Sequence, residues 1–141
     1  MRKILFRGKP LNCKVKGFAF GSLGVVRSDL VAIYQCKEFA DDDMILVDVD
    51  TVGQYTGRNC YSDKDDKLHK IFDGDICDVT VFDCNGFDYH YTCRVEWCNG
   101  GFALVNDEKD FFKWLGEIED TESDLTLIGN IYDNPELLKE R

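Results

Sequence analysis

Residues 72–105, "FDGDICDVTVFDCNGFDYHYTCRVEWCNGGFALV", decide the fold. From Asp75 to Asp83 the chain alternates. Ile76, Asp78, Thr80 and Phe82 face one way, and Cys77, Val79 and Val81 the other. A period of two marks a half-buried strand. Asn85-Gly86 suits a type I′ hairpin turn, where both central residues take positive φ. "FDYHYTCRVEW" returns as the second strand, and "NGG", Asn99 to Gly101, turns the chain into "FALV". The stretch predicts a three-stranded meander.

The flanking sequence is also largely β. "KILFR" reads as a short first strand, and "KVKGFAFGSLGVV" as a strand bent at Gly17, Gly21 and Gly24. Glycine within a strand often marks a bulge or sharp bend, which small barrels need. "LVAIYQC" suits a pleated, buried surface. After "ADDD", "MILVDVDTV" resumes the pattern, with Val47, Val49 and Thr51 opposite Asp48 and Asp50. "TVGQYTG" reads as a strand end and a glycine turn. From Gly57 to Lys70 no period is visible, and the polar "GRNCYSDKDDKLHK" reads as a long loop. Downstream, "DEKDFFKWLGEI" changes period. Phe111, Phe112, Trp114 and Leu115 fit a short helix with Asp107 at its start and Gly116 at its end. "DLTLIGNIY" is the last strand, and "DNPELLKER" predicts a helix with Asn134 as N-cap and Pro135 at its first position.

The totals limit the classes of function. A chain of 141 residues is one domain or two very small ones, and it buries enough surface to fold without a metal or disulfide. No window approaches the roughly 18 apolar residues of a membrane span. "MRKILFRGKP" lacks a signal-peptide core, so a cytoplasmic location is expected. The net charge of −10 argues against non-specific nucleic-acid binding, although Arg2, Lys3, Arg7, Lys9, Lys14 and Lys16 make the first residues basic. The seven cysteines include no C-x-x-C pair and are expected as reduced thiols. Cys84, His90, Cys93 and Cys98 lie close in sequence but fit no zinc spacing; Cys77, Cys84 and Cys93 read as small hydrophobes in strands.

No catalytic constellation emerges. "GFAFGSLG" is not the dinucleotide fingerprint and has no following helix. "DKDDKLHKIFDG" places Lys70 where a calcium loop needs glycine. His69 and His90 have no nucleophile placed beside them. Asp73 and Asp75 flank Gly74 and suit a metal-dependent hydrolase only weakly, since an Asp-Gly-Asp turn usually bonds its own backbone. The tyrosines lack the basic half of a single-strand-binding groove. No catalytic residue, metal ligand or cofactor is assigned. Gln54, Tyr55, Thr56, Asn130 and Tyr132 are the candidate ligand-binding residues, as polar groups beside aromatic walls.

Four segments in order, "MRKILFRGK", "VDTVGQYTG", "IFDGDICDV" and "IGNIYDNPELL", resemble the YopX-like proteins of phages and prophages. The resemblance spans nearly the whole chain and implies a mostly β protein with a small SH3-like barrel. It carries no catalytic motif and so implies no activity. Two departures stand out. Arg58 takes the place of a leucine, and the following loop is longer. Phe72-Asp73 replaces a tyrosine-glutamate pair.

The expected architecture is one domain over 1–141. It has an N-terminal β part (1–57), a loop (58–70), a β-barrel core (71–132) and a C-terminal helix (133–141). The expected function is non-enzymatic: a phage accessory protein that binds a host or phage protein, or itself as a homo-oligomer, through strand edges and an acidic surface. The alternative is a binder that sequesters a nucleotide or other small molecule.

Overall fold

The computed structural model describes residues 3–12, 14–35, 43–118 and 125–139. The chain divides into two compact units, Met1–Gly57 and Arg58–Arg141. Among the described residues no helix is long and apolar enough to cross a membrane. Cys13, Cys36 and most of "ADDD" lie outside the described residues.

The first unit is built on β1 (Phe6–Gly8), β2 (Ala19–Arg27), β3 (Leu30–Gln35) and β4 (Asp43–Val47), which pair antiparallel in that order. A 3-10 turn over Val49–Thr51 follows, started by the Asp48 side chain accepting from Asp50 N. The alternation expected to run on to Thr51 therefore stops at Val47. The chain then enters β5 (Gly53–Ser62), whose front end pairs with β1 through Phe6↔Gln54. Ala19, Val31, Ile33 and Val47 form the core of this unit.

The second unit contains the rest of β5, then β6 (Leu68–Phe72), β7 (Asp75–Phe82), β8 (Asp88–Cys98), β9 (Gly101–Asn106), β10 (Phe111–Trp114) and β11 (Leu125–Asn130). Its strand order is β10-β9-β8-β7-β11-β5, with β6 beside β5. The β7-β8-β9 meander is as expected. Cys77, Val79, Cys93, Val95 and Leu104 face one core, closed by Ile71, Leu115 and Leu125.

Several expectations are corrected. The fold is mostly β, but among the described residues the sheet is open and no barrel closes, with β10 and β4 at the two ends of the strand order. The loop placed at 58–70 is a hairpin. β5 continues to Ser62, and "DKDDK" is its tip, held by Ser62 N donating to Lys67 O and by His69 against Asp65 at 2.8 Å. Polar composition hid this strand, because Arg58, Asn59 and Ser62 break the apolar alternation. The helix expected after Asp107 is edge strand β10: Asp107–Asp110 is a turn with Asp110 at φ 52°, and Phe111 stacks on Tyr91 at 4.1 Å. The C-terminal helix is a single 3-10 turn, Pro135–Leu138. The Asn134 carboxamide does not cap it; its Oδ1 accepts from Asn130 N at 3.3 Å, and so short a segment cannot sustain a helix alone.

The turns also exchange roles. Asn85-Gly86 lies within a wider loop, where Gly86 but not Asn85 has positive φ. The two-residue turn is Asn99-Gly100, at φ 48° and 84°, closed by the Cys98↔Gly101 pair.

Candidate functional site: a cleft on the outer face of the meander

Alternation in β7 puts Cys77 and Val79 into the core and leaves Asp78 and Thr80 on the outer face. The register Asp78↔Thr92 and Thr80↔His90 sets Thr92 and His90 beside them. On the other flank, β11 pairs with β7 through Thr126↔Asp78 and then slips between Leu127 and Gly129. A bulge of this kind re-aims a side chain, and the extra residue, Ile128, lines the same face as Asp78.

Asn106 ends β9 and is buried. Its Nδ2 donates to Thr92 O at 2.7 Å, and its Oδ1 accepts from Lys109 N at 3.0 Å. One side chain thereby fixes the 107–110 turn against β8 and places Lys109 at the rim. Arg94 braces the same turn from β8, donating to Asp107 at 2.7 Å and to Glu96 at 3.0 Å. The 3-10 turn Pro135–Leu138 packs over β8, and Leu137, Leu138 and Lys139 form the remaining wall. The half-open cleft has a volume of about 360 Å³.

Charges of both signs meet here. Partial burial raises the Asp78 carboxyl above its ordinary pKa; the neighbouring His90 and Lys109 oppose that shift, and Asp63 adds to it. The His90 ring is oriented from both sides, with Nδ1 3.1 Å from Thr80 Oγ1 and Nε2 3.4 Å from Asp88. Among the described residues no three His, Cys, Asp or Glu side chains come together as a metal site. The arrangement can hold a small polar molecule between cationic, carboxylate and apolar walls.

The residues singled out from sequence are placed otherwise. Gln54, Tyr55 and Thr56 sit at the start of a strand, not at its end, in the first unit; Tyr55 is buried and its N–H donates to Leu5 O at 2.7 Å. Asn130 and Tyr132 belong to the second unit. Asn130 is committed to its own turn: Oδ1 accepts from Tyr132 N at 3.0 Å and Asp133 N at 2.9 Å, and Nδ2 donates to Asp133 at 3.1 Å. The Tyr132 ring rests on Gly74, where an added Cβ would lie 3.1 Å from Cε2. None of the five lines the cleft. Asp75 is buried and accepts from Phe72 N at 2.8 Å, the turn role expected of it. Of the cysteines, Cys77 and Cys93 are in the core, whereas Cys84 is exposed on the β7–β8 loop. The Cys60 and Cys77 thiols hydrogen-bond each other, which lowers the first and raises the second; burial pushes Cys93 up to about 12.

Sequence reading missed Asp78, Thr92, Asn106 and Lys109. The usable signal was an acidic residue on the outer face of an otherwise apolar strand. What faces it depends on register, which pairing alone reveals.

Two further features of this unit are well defined. At the β7–β8 tip, Asp83 Oδ1 accepts from Asn85 N and Phe87 N at 2.9 Å each, and Oδ2 accepts from Tyr89 OH at 3.2 Å. This carboxylate organises a loop that exposes Phe82, Phe87 and Tyr89, at 60%, 67% and 49%. Arg58 has a structural role: Nη1 donates to Leu115 O and Ile118 O at 2.7 Å each, holding the 3-10 turn Leu115–Glu117.

Fold and site together define a small, mostly β, open-sheet protein with a cleft on the outer face of the meander and an aromatic loop at its tip. The YopX protein family model matches residues 26–139, most of the chain. The chain belongs to the YopX family. Of the four segments that resemble it, the N-terminal "MRKILFRGK" lies outside the matched range. No curated protein and no solved structure matches the chain.

Proposed function

We propose that this chain is a non-enzymatic accessory protein of a phage or prophage, acting in the bacterial cytoplasm by binding another protein. The observation that supports this most is the β7–β8 tip. Phe82, Phe87 and Tyr89 are each exposed around a loop whose shape Asp83 already fixes, with Phe82 on the Asp88 face of the hairpin and Tyr89 on the Val81 face. Large aromatics on a pre-ordered loop make anchors at low entropic cost. Asp83 and Asp88 beside them, and a chain of net charge −10, suit a partner whose apolar pocket has a basic rim. A finger-like hairpin of this kind serves a host protein, a phage protein or a second copy of the chain.

The test uses the intact protein and a Phe82→Ser/Phe87→Ser double variant as baits in bacterial lysate, with sedimentation velocity for self-association. A partner retained by the parent, lost by the variant and released by salt supports the reading. Equal recovery on both baits, with no change in sedimentation, rejects it. A second reading, small-molecule binding, is favoured by the cleft beneath Leu137 and Leu138, and a thermal-shift screen of small metabolites tests it.

A further inference from the structure

We propose that the outer-face cleft binds a nucleoside monophosphate, with the phosphate on Lys109 and Lys139 and the amino-bearing base on Asp78. This rests on the small-molecule reading and gives it a ligand class and an orientation. At about 360 Å³ the cleft lies at the low end of small-ligand sites, which run from roughly 300 to 1,000 Å³.

Its walls make three separate demands. Lys109, Lys139 and His90 are among the lining residues, and the Lys109 ammonium lies 5.8 Å from the Tyr91 ring centroid. A phosphate is the acid that two ammonium groups hold best, each as a point-charge donor. Asp78 is a carboxylate acceptor set back on β7, and Thr92 adds a hydroxyl beside it. Together they call for a ligand with a hydrogen-bond donor away from its acid group. Ile128, Leu137 and Leu138 present apolar surface, which suits the flat face of a ring. An acid, a donor and a flat apolar frame occur together in a purine or cytosine nucleotide. The setting is also pre-organised: Asn106 clamps the Lys109 turn, and the β11 bulge turns Ile128 inward. A site built before the ligand arrives loses less entropy on binding.

The experiment is a titration of the ¹⁵N-labelled full chain with AMP, CMP, UMP, adenosine and inorganic phosphate. AMP and CMP are expected to shift the Thr92, Lys109 and Leu138 amides, with Kd below about 1 mM. UMP, lacking the exocyclic amino group, binds more weakly, as do adenosine and phosphate alone. Lys109→Gln and Asp78→Asn are each expected to weaken AMP about tenfold, the scale of one hydrogen bond to a charged group. The unperturbed spectrum of each variant away from the cleft reports that it is folded. The proposal is overturned if no nucleotide shifts those amides. It is equally overturned if phosphate alone binds as tightly as AMP, or if both folded variants bind AMP like the parent. If other small molecules from the thermal-shift screen bind the cleft while nucleotides do not, the ligand class fails and the small-molecule reading stands.

Discussion

The two units cover their sheets by unequal means. Among the described residues, the Arg58–Arg141 unit gathers ten buried side chains into one cluster, while the Met1–Gly57 unit gathers four. The smaller unit supplements its core with the Arg7 guanidinium and the Lys9 ammonium, 4.1 and 4.4 Å from the Phe18 ring, and leaves Val25, Val26 and Met44 exposed. Buried apolar area supplies most of the favourable free energy of folding. The larger core can therefore sustain features that cost stability: a half-buried Asp78, Asn99 and Asp110 at positive φ, and aromatics left in solvent. Both candidate binding features lie in that unit. The difference teaches that a specialised surface is found where the core behind it is deep.

The sharpest challenge to this contrast is a pair of core truncations. Leu104→Ala, at a fully buried site, is expected to cost about 3–5 kcal/mol, and Ile33→Ala about 2–3 kcal/mol because a thin core collapses more easily around a cavity. Urea unfolding measures both. Equal losses would mean that the two cores are energetically alike. Next is Arg58→Ala, which strands two carbonyl groups at the Leu115–Glu117 turn and is expected to cost about 2 kcal/mol. Amide exchange should quicken at Ile118 and not at Ile33; general acceleration would deny Arg58 its local role.

A smaller effect separates the two Asn-Gly pairs. Asn99→Ala puts alanine in a left-handed conformation and is expected to cost about 1 kcal/mol. Asn85→Ala should stay within about 0.5 kcal/mol, since its φ is ordinary. Matching losses would mean that the wider Asp83–Phe87 loop is as strained as the tight turn. Least visible near neutrality is Cys93. Below pH 9 its thiol is neutral folded and unfolded, so it adds no pH dependence. Between pH 9 and about 12 the unfolded thiol ionises while the folded one stays neutral, so stability falls across that window. Cys93→Ala should flatten this alkaline decline, read as the urea midpoint at about pH 8 and about pH 10.5. An unchanged slope would assign the decline to Cys77, whose thiol is also raised.

These tests bear on how much was legible beforehand. The β7-β8-β9 meander was, because a period of two leaves only one face for the core, and Asp75 was read correctly as a turn residue. β10 was not. Phe111, Phe112, Trp114 and Leu115 satisfy a helical and a strand period equally over so few residues, and pairing with β9 settles the matter. β5 was lost beyond Gly57 because its polar residues, Arg58, Asn59 and Ser62, show no period of two until its partners are known. The five candidate ligand residues were chosen for chemistry alone. Asn130 and Tyr132 have the right groups, but hydrogen bonds within the turn and packing on Gly74 engage them.

By itself the sequence determined a mostly β chain, the meander, an acidic surface and membership of a family. Each of these follows from local periodicity, composition or segment order. Tertiary structure alone decided that the sheet stays open, that Arg58 ties β5 to the turn at Leu115–Glu117, and that Asp78, His90, Lys109 and Leu138 meet in one cleft. The reason is physical. Periodicity fixes which face a residue occupies, but strand register and one bulge at Ile128 fix what stands opposite it, and those depend on residues distant in the chain.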